Sequence, residues 1–211
     1  MSHPNQNNIL LGGLLAIILI FLGWSGFDPK DRLTWFLEVA PVLIGLAFMF
    51  WTRKSFPLTN LLYILITIHS VILCVGGRYT YAEVPIGDWV KDFFGMARNH
   101  YDRLGHFAQG FIPAILAREI LIRHQAVKNK KWLFLFATCI CLSFSAFYEF
   151  IEWWTAFISG EGASAFLGTQ GDIWDTQWDM FLALIGAVMA QIILSRAHDR
   201  QVYQLTGLSI K

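Results

Sequence analysis

Six apolar runs divide the chain: residues 9–27, 33–51, 58–75, 104–122, 132–158 and 178–194. About 20 apolar residues cross a bilayer as a helix, so each run predicts one crossing. The fourth is the weakest, with His106 and Gln109 near its start and Arg118 and Glu119 near its end. The segment before the first run, Met1 to Asn8, holds no Lys or Arg. A cleavable leader requires a basic start, so the first run reads as a retained helix. Between the third and fourth runs, Ile86, Trp89, Val90, Phe93, Phe94 and Ala97 recur at helical spacing, with Asp88, Lys91 and Asp92 on the other face. That pattern predicts an amphipathic helix in the third loop, lying on the membrane surface or packed as a lid on the bundle. The expected architecture is all-α, a polytopic six-helix membrane bundle forming one domain over residues 1–211.

Composition supports this reading. Hydrophobic residues make up 55% of the 211 and charged residues 15%, against about 25% charged in soluble domains. Mean hydropathy is +0.49. A net charge of +1 gives no basic surface for nucleic acid. Cys74, Cys139 and Cys141 lie in apolar runs without a CxxC pair, and read as small buried hydrophobes.

Charge also orients the chain. The termini and the second and fourth loops share one side and hold Arg53, Lys54, Arg123, Lys128, Lys130, Lys131, Arg196, Arg200 and Lys211. The opposite side has fewer cations, mostly beside acids. Basic loops stay in the cytoplasm, so both termini are expected there. Of 15 acids, only Glu119 and Asp199 fall on that side.

The remaining acids suggest chemistry. Asp102, His106 and Gln109 are spaced i, i+4, i+7; Glu149 and Glu152 are i, i+3; Asp172, Asp175 and Asp179 are i, i+3, i+7 if that segment is helical. Three helices then each present a polar stripe in the outer third of the bilayer, where His69 also falls. Ionised side chains at mid-bilayer cost about 2.5–3.5 kcal/mol each on insertion scales, and neighbouring carboxylates repel. A divalent ion (Zn, Mn, Fe or Mg) bound by Asp102, His106, Glu149 and Asp179 relieves both penalties. Glu152 or Asp175 then serves as general base, and Arg78 and Arg98 receive an anionic head group. The plainer alternatives are an interfacial histidine, water-bathed helix ends and, for Trp153, Trp154, Trp174 and Trp178, an aromatic belt. Whether residues 161–171 re-enter the membrane stays open.

Four segments carry a resemblance: Arg78-Tyr-Thr-Tyr-Ala-Glu-Val-Pro85, Asn99-His-Tyr-Asp-Arg-Leu-Gly-His-Phe107, Glu149-Phe-Ile-Glu-Trp-Trp154 and Gly168-Thr-Gln-Gly-Asp-Ile-Trp-Asp-Thr-Gln-Trp-Asp-Met180. Together they resemble the YjdF-type proteins, which implies a multi-pass protein of the bacterial inner membrane and carries no activity with it. A fainter likeness is to VanZ-like membrane proteins, through Asp102-Arg-Leu-Gly-His106-Phe, Glu149, Asp179 and Gly186-Ala187. Arg103 stands where that pattern has Lys, and the Asn expected after the last Asp is missing. That likeness implies the same polar core and a role around the cell envelope. The expected function is a metal-dependent enzyme acting on lipid or envelope precursors at the outer leaflet. A membrane scaffold or binding protein and a small proton-coupled transporter are the alternatives, and membrane lipids are the expected partners.

Overall fold

The structure, a computed structural model, describes residues 4–159 and 169–209. These form seven α-helices and one 3-10 turn, with no strand among the described residues. In chain order the helices are α1 (Pro4–Gly26), α2 (Arg32–Thr52), α3 (Asn60–Tyr79), α4 (Pro85–Phe94), α5 (Tyr101–Arg123), α6 (Lys130–Ser159) and α7 (Asp175–Thr206); the turn is Tyr81–Glu83.

Local chemistry sets the ends. Asp31 caps α2 by accepting from the Thr34 amide at 2.7 Å. Thr59 caps α3 in the same way through Leu62. Pro85 opens α4, and Gly95, in the left-handed conformation, closes it. α7 outruns the 178–194 run at both ends. Hydropathy marks only the apolar stretch, whereas the helix continues through Arg196, His198, Asp199 and Arg200 to Gly207.

Five helices (α1, α2, α3, α6 and α7) are long and apolar enough to cross a membrane. α5 has the length, at 23 residues, but carries Asp102, Arg103, Arg118, Glu119 and Arg123. Its position explains why that is tolerated: α5 packs against α3, α6 and α7, so its polar groups meet protein instead of lipid. Phe50, Phe150 and Ile192 are exposed, as expected of a surface solvated by hydrocarbon. Cys74 and Cys141 are buried, but Cys139 lies on the exposed surface, which corrects the expectation for that residue.

α5 and α7 share the most extensive contact among the described helices. A Cβ added at Gly110 would run into the Ala183 carbonyl, and one at Gly186 into the Phe107 carbonyl and the Phe111 amide. Without side chains between them the two backbones touch, as small residues permit in membranes. Ala108, Ile112, Ile115, Ala187 and Ala190 continue this dry layer, joined by Leu62, Leu65 and Cys141. α2, by contrast, leans mainly on α3.

The segment between α3 and α5 is pinned to the bundle. The Tyr81 ring fills a slot left by Gly76 and Gly105, where a Cβ would clash with it. Asn99 packs on Gly87, donates to the Val84 carbonyl at 3.0 Å and accepts from the Tyr101 amide at 3.0 Å. Gln170 and Asn99 exchange two side-chain–backbone bonds of 2.9 Å, tying the segment before α7 to the start of α5. α4 itself buries only Gly87 and leaves Ile86, Trp89, Val90, Phe93 and Phe94 exposed.

Candidate metal centre

α5, α6 and α7 each bring acids to one end of the bundle. Asp102 and His106, one helical turn apart on α5, lie with Nε2 3.5 Å from Asp102 Oδ1. On the other side of the ring, Nδ1 is 3.9 Å from Glu149 Oε1 of α6. Asp179 Oδ2 of α7 is 4.0 Å from Nε2. Glu152 follows Glu149 on the same face of α6. Two sets of ligand atoms result, Asp102–His106–Asp179 and His106–Glu149–Glu152, with all atoms in each set within 4.8 Å of one another. Ligands about 2.1 Å from one ion sit roughly 3–4 Å apart, so a small contraction closes either set.

These groups are buried and underused. His106 is 4% exposed, Asp179 3% and Glu149 6%. His106 Nδ1, Glu149 Oε1 and Asp179 Oδ1 make no hydrogen bond, and neither does the neighbouring buried Ser145 hydroxyl. Buried polar atoms are bonded in more than nine cases of ten, so the orphaned His106 Nδ1 and Glu149 Oε1, which face each other at 3.9 Å, stand out.

Arg98 and Arg103 form the rim. Arg98 reaches Asp175, Asp172 (3.5 Å), Asp102 (3.9 Å) and the Thr169 carbonyl (3.2 Å). Arg103 binds Asp172 at 2.6 Å and lies over the Trp178 ring. His100, just before α5, meets Arg103 at 3.2 Å. Burial first, and then the two arginines, hold His100 below its ordinary pKa, so it is neutral at pH 7. Counting Glu38, Asp102, Glu149, Glu152, Asp172, Asp175 and Asp179, seven carboxylates face two guanidiniums and one imidazole.

The sequence-derived candidates divide accordingly. Asp102, His106, Glu149, Glu152 and Asp179 converge. Asp175 is turned to Arg98. Asp172 precedes α7 and accepts the Trp174 amide at 3.0 Å, so it does not share a helix face with Asp175 and Asp179. Arg78 is engaged elsewhere: its guanidinium bonds the Trp24 carbonyl (2.9 Å) and the Phe27 carbonyl at the end of α1, and stacks on Trp24. His69 lines an apolar groove instead of joining the acids. Residues 161–168 of the segment read as re-entrant or extended lie outside the described residues.

Two participants escape the sequence reading. Glu38 of α2 is 5% exposed and accepts from the Tyr148 hydroxyl at 3.2 Å, and Tyr81 also bonds it. The one signal for it is a lone acid in an otherwise apolar run. The other is a second polar cluster at the opposite end of the bundle. Glu119 accepts from the Thr59 amide (3.1 Å) and hydroxyl (2.8 Å) and from Arg123 (3.0 Å), and lies 3.2 Å from His198 Nε2. Arg118 binds both oxygens of Asp199 at 2.8 and 3.0 Å. Gln191 bonds Arg118, Thr138 and the Phe134 carbonyl.

Comparison with known proteins agrees with a membrane bundle. The chain is 52% identical over 202 residues to the inner membrane protein YjdF of Escherichia coli (strain K12), covering 96% of each chain. No solved structure matches it. Residues 10–200 match the family described as predicted membrane protein (DUF2238), and the chain belongs to that family.

Proposed function

We propose that this protein crosses the bacterial inner membrane six times, with α5 as the sixth crossing and both termini in the cytoplasm, and that its outer end binds a divalent cation used in catalysis. The observation that carries this is the group of orphaned buried atoms around His106. Asp102 bonds Nε2 and orients the ring, as a carboxylate does behind a metal-bound histidine. Nδ1 then presents its lone pair to the space shared with Glu149 and Glu152, the preferred ligand set. Asp175 is neutralised by Arg98, which leaves Asp179 as the free carboxylate beside the site.

The chemistry suited to this arrangement is hydrolysis of an ester in a lipid or lipid-linked envelope precursor. His106, Glu149 and Glu152 would hold the ion, which when bound would make a water more acidic; Asp179 would take the proton of the attacking water and return it to the leaving oxygen of the ester as that bond breaks. The exposed apolar face of α4 and the exposed Trp153, Trp154 and Trp174 provide an interfacial rim over the same end. The apolar α5–α7 layer between the two polar clusters favours this reading over a proton-coupled carrier, which needs a path to both faces.

The test is elemental analysis of detergent-purified protein, beside His106→Ala and Glu149→Ala. About one ion per chain in the wild type, lost in both variants, is the expected result. Wild-type protein that stays metal-free after exposure to Zn, Mn, Fe and Mg would return the site to a scaffold role.

A further inference from the structure

A cavity of about 710 Å³ opens sideways between α2 and the α3–α5–α6 face. Its wall is nearly all apolar, including Val42, Phe48, Leu73, Leu116 and Phe144, with His69 and Ser70 as inner polar points. Pro41 and Pro113, each inside its helix, both line it. Above Pro41, the Glu38–Tyr148 bond joins α2 to α6 and shuts the groove from the acidic centre. Below, the groove runs to Thr52, Phe56 and His124, and the Phe56 and His124 rings stack at 5.6 Å.

Length and charge identify an occupant. From Pro41 to Thr52 the α2 axis rises about 16 Å, roughly half of a 30 Å hydrocarbon core. The groove thus has the depth of one leaflet. His124 lines its foot and is exposed, and the exposed Arg53 and Lys54 follow the lining residue Thr52 in the chain. No acid occurs in the sequence between Glu38 and Glu83, so nothing on α2 beyond Glu38, on its loop or on α3 offsets these cations near the groove.

We propose that this groove is a binding site for an acidic phospholipid of the inner leaflet, with one acyl chain lying along α2 towards His69 and the phosphate held by Arg53 and Lys54. The site is separate from the metal centre and stands whether or not that centre binds an ion; its assignment to the inner leaflet rests on the orientation proposed above. Gly45 provides a clean probe. It lines the groove, and a Cβ there meets nothing within 4 Å, so a larger side chain fills the space without disturbing the helices.

The experiment is native mass spectrometry of the full chain after reconstitution in vesicles containing equal phosphatidylglycerol and phosphatidylcholine. Wild type should keep phosphatidylglycerol through delipidation that strips other lipid. Gly45→Phe, or the smaller Gly45→Leu if the first unfolds, should lose it at unchanged melting temperature. Arg53→Gln with Lys54→Gln should keep a lipid but lower the preference for phosphatidylglycerol roughly 30-fold, as two lost surface cations imply. Equal retention by wild type and the Gly45 variants overturns the site. An undiminished preference in the Arg53/Lys54 variant overturns the placement of the phosphate.

Discussion

The two ends of the α5–α7 pair solve the same problem in opposite ways. At the end nearer the C-terminus of α7, Glu119 is fully buried yet has Thr59, Arg123 and His198 around it. At the His106 end, Glu149 and Asp179 are almost as buried, and each keeps an oxygen without a partner. In the first cluster each carboxylate meets a cation, Glu119 through Arg123 and Asp199 through Arg118, and the cluster holds helices together; in the second, Glu149 and Asp179 each keep a buried oxygen unbonded. Burial of a charge therefore does not distinguish a structural site from a binding site. What distinguishes them is whether the carboxylates are paired, since Arg118 Nε and His198 Nδ1 also go without a hydrogen bond in the first cluster.

The largest effect should come from what keeps the ends apart. Gly110→Leu puts a side chain into the Ala183 backbone, which has no flexible end to give way. Folded protein should be lost, as size-exclusion chromatography of the membrane extract would show. A well-folded variant would mean the α5–α7 contact is looser than described.

Next, Glu119→Ala should destabilise by about 3–5 kcal/mol, because Arg123 and His198 lose a buried partner. Glu149→Gln, in contrast, removes one of several crowded acids and should leave apo-protein stability unchanged or raise it by about 1 kcal/mol. Unfolding both in detergent titrated with denaturant sharpens the comparison, and equal losses would erase it. The smallest change is Asp102→Asn, which keeps the ligands but alters the group behind His106. Metal affinity should fall about 10–100-fold with the fold intact, measured by competition with a chelating dye.

Much of this architecture is legible in the residue pattern alone. The six apolar runs fall on the six long helices, and i, i+3 and i, i+4 spacing puts Asp102 beside His106 and Glu149 beside Glu152. Spacing works within one helix, where geometry is fixed by the backbone. It is silent about partners supplied by another helix. Hence Glu38 escapes it, since its partner Tyr148 lies 110 residues away, and so does His198, 79 residues from Glu119. Arg78 misleads for a related reason. Its charge suggests a ligand, but its guanidinium ends α1 by bonding carbonyls that no sequence pattern announces. The far end of α7 is hidden because hydropathy reports the solvent around a helix, not the helix.

That last helix has a mechanical consequence. At 32 residues it is about 48 Å long, more than a bilayer core requires, and one uninterrupted rod carries Asp179 near one tip and His198 near the other. Pressed backbone to backbone against α5, it has no room to slide and no internal proline to bend it. Asp179 and His198 are thus held about 28 Å apart by one continuous helix, so the spacing between the two polar clusters is set by the backbone of α7 alone.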